Sequence, residues 1–196
     1  MEPIILASSS QRRQEILKQL GIPYMVIMPD IKEDYPDDLT FEKVPEFLAS
    51  KKIKAAAKML PQGQTVPWIF AADTLIFKGD KVFGKPESKE QAIEFLKELQ
   101  DGTHTVITAI ALFNGKINYL STRTSINKVT FAPLSDKEIQ WYIETGEWHG
   151  VAGGYRIQGM ASCFIKHIEG TQSSIIGLPI FEFYDILKEQ GYSLID

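Results

Sequence analysis

Apolar residues change period several times along this chain, and each change marks an element. Ile4 to Ala7 is an unbroken apolar run, the length of a short buried strand. From Gln11 to Leu20 the spacing turns helical, with Ile16, Leu17 and Leu20 on one face, and Gly21 and Pro23 stop it. Tyr24 to Met28 predicts a second strand, followed by an acidic loop, PDIKEDYPDD. A long amphipathic helix is expected through VPEFLASKKIKAAAKML, where Val44, Leu48, Ala55 and Met59 recur at helical spacing.

The run VPWIFAADTLIF is apolar almost throughout, as a central strand is, and KGDK is a turn that lets the chain return through Val82 and Phe83. Ser88 to Gln91 reads as a capping box that opens a helix with Ala92, Phe95, Leu96 and Leu99 on one face, closed by Asp101-Gly102. HTVITAIALF and INYLSTRTSINKVTF are expected strands joined at Asn114-Gly115, a strong hairpin pair. A second capping box, Ser135 to Glu138, starts a short helix that ends at Gly146. GEWHGVAGGYRIQG holds too much glycine for regular structure and too little charge for a solvated linker, so an ordered functional loop is expected. One more strand, ASCFIKHI, precedes a Ser- and Thr-rich turn, and Leu178-Pro179 leads into a last helix with Ile180, Phe183 and Leu187 inward. Helices alternate with paired and crossover strands, which predicts an α/β fold with a mixed sheet.

Composition narrows the class. With 196 residues, 44% hydrophobic and 23% charged, the chain suits one domain over 1–196 with a sizeable core. A net charge of -4 argues against a protein that coats nucleic acid, so any cationic site is local. Cys163 is the single cysteine and has no partner at metal spacing; it is expected as a small buried hydrophobe in a strand, in a reducing compartment. Met1-Glu2-Pro3 is not basic, and no apolar run approaches the roughly 20 residues that span a bilayer. A cytoplasmic protein with no membrane partner is the expectation.

Four places carry candidate chemistry. LASSSQRRQEIL hands a strand to a helix through three serines and two arginines, and a helix N-terminus there offers unpaired N–H groups and the positive end of a dipole to an anion. Arg12 and Arg13, in the first turn, lean back towards that anion. The stretch is not a P-loop, and Ser10 as an ordinary N-cap beside two solvated arginines describes it equally well. Lys52 falls on the apolar stripe of its helix, where a cation is either paired, set in a cleft, or snorkelling at the stripe's edge. Asp73 is a single carboxylate in an apolar strand, so it is paired, metal-bound or catalytic. Lys85, between Gly84 and Pro86, is a rigidly placed cation or a solvated loop residue. His104, His149 and His167 share no metal spacing, and a serine nucleophile elbow is missing. Cations opposing a few carboxylates suit a polyphosphate and its divalent metal, hence a nucleotide hydrolase.

LASSSQRRQEIL, LASKKIKA, AADTLIF, GKPESKEQAIEFLKEL, DGTHTVITAIAL, YIETGE, AGGYRIQG and GLPIFEFYDIL occur in the order seen in the Maf family, which this chain resembles over nearly its whole length. These are nucleoside triphosphate pyrophosphatases, once described as septum formation inhibitors. The resemblance implies an elongated two-lobed α/β fold with flanking helices, similar to inosine triphosphate pyrophosphatases, with a central cleft, and a homodimer. It implies hydrolysis between the α and β phosphates with Mg²⁺ or Mn²⁺. Asp73 matches the proton acceptor, Ser8, Arg13, Lys52 and Lys85 match phosphate-binding positions, and Glu33 matches an acidic residue near the metal. Arg12, Thr74 and Gln158 match the branch that acts on dTTP and UTP, and a Gln amide can donate to O4 and accept from N3–H of either base. Gln11 departs from a usual Pro, Gly150-Val151 from a usual Asp-Lys, and GTQSS from a usual Gly-Ser-Tyr-Ser. Two further readings stand beside the enzyme: a nucleotide-binding regulator of cell division without catalysis, and a weaker RNA-binding role.

Overall fold

The computed structural model describes residues 1–61 and 68–195. Its elements run β1 (Ile4–Leu6), α1 (Gln11–Gln19), β2 (Tyr24–Val26), α2 (Val44–Lys58), β3 (Trp68–Lys78), β4 (Lys81–Val82), α3 (Lys89–Leu99), β5 (Gly102–Asn114), β6 (Tyr119–Phe131), α4 (Asp136–Glu144), β7 (Ile165–Glu169), α5 (Gln172–Ile176) and α6 (Ile180–Glu189). Strands follow the order β2-β1-β3-β5-β6-β7, with β4 on β3. β1 pairs parallel with both β2 and β3, whereas β3–β4 and β6–β7 are antiparallel, so the sheet is mixed as the alternation of elements predicts. The expected start of the central strand at Val66 and Pro67 lies outside the described residues.

The chain divides into two compact units, and β3, β5 and β6 each give one part to either. The first holds Met1–Asp73, Thr108–Ser125 and Gly177–Asp196. Its β1 is buried on both faces, and the register Leu6↔Phe70 fixes which side chains share a face. Ile5, Ala7, Ile69 and Ala71 turn one way and form a core with Ala49, Ile53 and Ala56 of α2. Phe70 turns the other way onto Phe183 of α6, ring centroids 4.5 Å apart. The C-terminal segment returns to the start of the chain, where the Tyr192 hydroxyl donates to the Glu2 carbonyl at 2.6 Å.

The α2 face differs from the one expected. Val44 and Leu48 are buried, but Ala55 is half-exposed and Met59 is 57% exposed, while Ala49, Ile53 and Ala56 turn inward. The reading from Val44 through Met59 advances by four, seven and four, which follows one edge of the buried stripe and not its centre. Lys52 lies three residues after Ala49 and four before Ala56, on the inward side.

In the second unit, Thr74–Ile107 with Ile126–Ile176, α3 buries Ala92, Phe95, Leu96 and Leu99 as expected. Its start is half a capping box. Ser88 Oγ accepts from the Gln91 amide, but Gln91 Oε1 accepts from the Glu87 amide, one residue early. Ser135 and Glu138 make the full box at α4. β5 and β6 are joined at the expected place by four residues, 115–118, with Asn114 closing β5 rather than turning.

Two expectations fail at ASCFIKHI. Met160–Phe164 is a short 3₁₀ segment and the strand begins only at Ile165. Ala161 and Phe164, three apart, eclipse on the inner side of a 3₁₀ turn and are buried. Cys163 therefore faces out and is exposed, not buried in a strand. The Ser- and Thr-rich turn contains the short α5. Among the described residues no helix is long and apolar enough to cross a membrane.

His104 sits in β5 with 1% exposure, its Nε2 2.7 Å from the Tyr155 hydroxyl and its ring edge-on to Phe131. Burial, with a smaller contribution from Lys78, pulls its pKa from 6.5 down to about 3. Because the folded pKa is the lower one, this neutral histidine stabilises above pH 6.5, and the contribution drains away as pH falls towards 3. Between pH 7 and pH 5 wild type is expected to lose about 2 kcal/mol more than His104→Gln. Urea unfolding at the two pH values measures the difference, and equal losses would remove His104 from the acid response.

Candidate active site

β1 and β2 end where ligands collect in open α/β sheets, and β3, parallel to β1, runs on past that point to Lys78. Ser8 follows β1, Glu33 lies in the loop after β2, and Asp73 stands on β3 three residues beyond Phe70, the last partner of β1. Strand alternation decides where Asp73 points. It shares the face of Ile69 and Ala71, the face that α2 covers, so its carboxylate meets Lys52.

Lys52 Nζ lies 2.5 Å from Asp73 Oδ1 and 3.0 Å from Glu33 Oε1. The lysine and Asp73 side chains are only 13% and 11% exposed, whereas Glu33 is 56% exposed. Burial raises the Asp73 pKa, outweighing the opposing pull of Lys52 and Arg13. A carboxylate that is desolvated yet hydrogen-bonded to a cation is ionisable and unusually basic, which suits it to take a proton. Lys51, the neighbour of Lys52, ties the acidic loop from outside. Its Nζ donates to the Lys32 carbonyl at 2.8 Å, to the Asp34 carbonyl at 3.2 Å and to the Asp34 carboxylate. Adjacent lysines thus hold the loop that presents Glu33.

The serine knot has its own geometry. Ser10 is the residue before α1, but its side chain caps nothing; its amide instead donates to Ser8 Oγ at 3.2 Å. Arg13 is 8% exposed, its Nη1 donating to Ser8 Oγ at 3.0 Å and its Nε to the Gly177 carbonyl at 2.8 Å. Desolvation brings the guanidinium down to about 10, opposed by the negative charge of Asp73, so it stays charged at neutral pH. The ordinary-cap reading of this stretch fails for Ser10, and the solvated reading fails for Arg13. Arg12 is half-buried and Gln11 exposed.

Lys85, Thr74 and Gln158 belong to the second unit. Thr74 follows Asp73 on β3 and faces the other side of the strand. Lys85 and Gln158 are exposed, and their segments meet through backbone. The Gly153 amide donates to the carbonyls of Phe83 at 3.1 Å and Gly84 at 2.9 Å. The Gly177 carbonyl that seats Arg13 carries no side-chain signal in a sequence. The doubled lysine at 51 and 52 does.

The donor set suits a hard divalent cation. Mg²⁺ takes one or two carboxylates together with substrate phosphate oxygens, and Glu33 and Asp73 supply two carboxylates bridged by one lysine. Among the described residues no group of three or more His, Cys, Asp or Glu stands together, so a cage made wholly of protein ligands is not built from them.

A buried arginine seated beside a helix N-terminus, and a lysine that bridges two carboxylates, mark the candidate site of this α/β protein. The family profile described as Maf-like protein matches residues 3–190, and the chain belongs to the Maf family. It is 37% identical over 195 residues to a protein of Desulforamulus reducens named dTTP/UTP pyrophosphatase, covering 100% of both chains. Proteins of the same name from Treponema denticola and Fusobacterium nucleatum are 38% and 39% identical over 203 and 195 residues, covering 100% of both chains and 98% and 99% respectively. Among solved structures, the Ham1 protein of Staphylococcus aureus superposes with a TM-score of 0.42 at 22% identity, over 65% of this chain and 72% of that one. A dITP/XTP pyrophosphatase from Mycobacterium abscessus gives 0.43 at 14%, over 97% and 95%. Scores this low leave the α/β assignment resting on the strand order and pairing.

Proposed function

We propose that the chain is a nucleoside triphosphate pyrophosphatase that hydrolyses dTTP and UTP to the monophosphate and pyrophosphate. The observation that carries the proposal is the buried Asp73 carboxylate on Lys52, set on β3 just beyond its parallel pairing with β1. Full-length relatives that share the name dTTP/UTP pyrophosphatase support the substrate. Water attacks the α-phosphorus, the bond from that phosphorus to the bridging oxygen of the β-phosphate breaks, and pyrophosphate leaves with the electron pair. Asp73 takes the proton from the water, which its raised pKa favours. Arg13, Ser8 and the first-turn amides of α1 hold phosphate oxygens, and Lys85 adds a cation. Lys52 keeps Asp73 ionised and offsets the charge that grows on the leaving group. Glu33 and Asp73 would hold Mg²⁺ or Mn²⁺, which when bound neutralises phosphate oxygens. Arg12, Thr74 and Gln158 set the choice of base, and a thymine methyl adds only apolar contact, so dTTP and UTP are separated little. The family resemblance also supports a homodimer.

A panel of dTTP, UTP, CTP and GTP with Mg²⁺ or Mn²⁺ tests the reading. Pyrophosphate is expected from dTTP and UTP at comparable kcat/KM, with CTP and GTP slower by at least about 10-fold. The proposal is falsified if no nucleoside triphosphate yields pyrophosphate. Binding of dTTP without release would favour the non-catalytic regulator.

A further inference from the structure

Lys85 and Gln158 are 73 positions apart in the chain and both exposed, yet the residues beside them are locked together. Gly153 turns with φ +70 and delivers one amide to two carbonyls, those of Phe83 and Gly84. Phe83 is itself fixed, 1% exposed, with its amide on the Ile76 carbonyl at 2.8 Å. Gly154, φ +68, lies under Pro86, so closely that a methyl there would stand 3.4 Å from Pro86 Cγ. Lys85 is thus flanked on both sides by residues seated on the glycine pair. On the other side of that pair, Tyr155 is 3% exposed and the Arg156 amide donates to the Tyr142 hydroxyl at 3.1 Å. The Gly159 amide closes a turn onto the Arg156 carbonyl at 3.0 Å, with Gln158 inside it.

We infer that Gly153 and Gly154 are positioning residues, a backbone clasp that fixes the Lys85 segment and the Gln158 turn as one piece. The inference rests on the pyrophosphatase reading for what the piece does: phosphate grip and base choice then share one mount, and disturbing the clasp moves both. Gly153 is the sharper probe. A Cβ there would meet Ile76 Cδ1 at 3.0 Å and Tyr155 Cε1 at 3.2 Å, in a backbone conformation that L side chains resist. Gly79, in the β3–β4 turn, supplies the control, because its φ is +59 but nothing lies within 4 Å of an added Cβ.

The experiment compares wild type, Gly153→Ala, Gly154→Ala and Gly79→Ala by hydrogen exchange and by pyrophosphate release from dTTP and CTP. Gly153→Ala is expected to speed amide exchange in 83–87 and in 152–159 together, while 92–99 stays protected. It is expected to lower kcat/KM for dTTP on the order of 10- to 100-fold, chiefly through KM, and to shrink the preference for dTTP over CTP. Gly79→Ala should match wild type in both readouts. If Gly153→Ala does not fold, Gly154→Ala takes its place with the same expected changes, since φ +68 strains it while its methyl stands in ordinary contact with Pro86 at 3.4 Å. Faster exchange in one segment without the other overturns the clasp, as does an unchanged dTTP-to-CTP ratio in an active protein. Should wild type release no pyrophosphate, the functional reading fails, and the paired exchange alone decides whether the clasp exists.

Discussion

Asp73→Asn should reduce pyrophosphate release on the order of 1,000-fold or more while dTTP binding persists, because the amide keeps the shape of the carboxylate but accepts no proton. The same change is expected to raise the melting temperature. The folded-state pKa of Asp73 lies above its unfolded value, so its contribution to stability is full below the unfolded value of about 3.8 and is lost as pH rises through the folded one. At neutral pH the ionised, buried group is therefore a net burden, and Asn removes it. The gain is expected to be modest, because Lys52 gives up one charged partner and keeps Glu33. Thermal melts with turnover assays check both halves, and a variant that melts higher yet still turns over would take Asp73 out of the chemistry.

Lys52→Met should be nearly as damaging to turnover, by about 100-fold or more, and it carries a signature in pH. Lys52 is the chief influence that lowers the Asp73 pKa against burial. Without it the carboxylate stays protonated to higher pH, so the acid limb of the pH–rate profile shifts upward. The folding linkage follows the same sign: as the folded pKa of Asp73 rises further above its unfolded value, the variant becomes progressively less stable as pH rises. Rate profiles from pH 5 to 9 with denaturant titrations at each end measure it. An acid limb that stays in place would show that Lys52 acts on substrate alone.

Much of this was legible in the pattern of residues. The apolar runs of β1 and β3 exposed Asp73 as a lone carboxylate, and helical phase put Lys52 on the inward side of α2. The meeting of the two was not legible, because it depends on parallel pairing of β1 with β3 and on α2 covering one face. Secondary structure failed where two periods fit the same letters: ASCFIKHI alternates well enough for a strand, yet Ala161 and Phe164 satisfy a 3₁₀ turn. Backbone partners were beyond reach as well. The Gly177 carbonyl beneath Arg13 and the Phe83 and Gly84 carbonyls on Gly153 belong to peptide groups that every residue owns, and only the folded path selects them. The Gly and Pro beside Lys85 are visible in the sequence, but the loop almost 70 positions later that seats them is not.

The tie between Arg13 and Gly177 spans 164 positions, and that between Glu2 and Tyr192 spans 190. Synthesis on the ribosome runs from the first of these residues to the last, so Arg13 is made long before the carbonyl that seats it. Until Gly177 has emerged, the nascent chain carries the Arg13 cation without its socket. A chain truncated before Gly177 would therefore lack the socket even with Arg13, Lys52, Asp73 and Lys85 all in place.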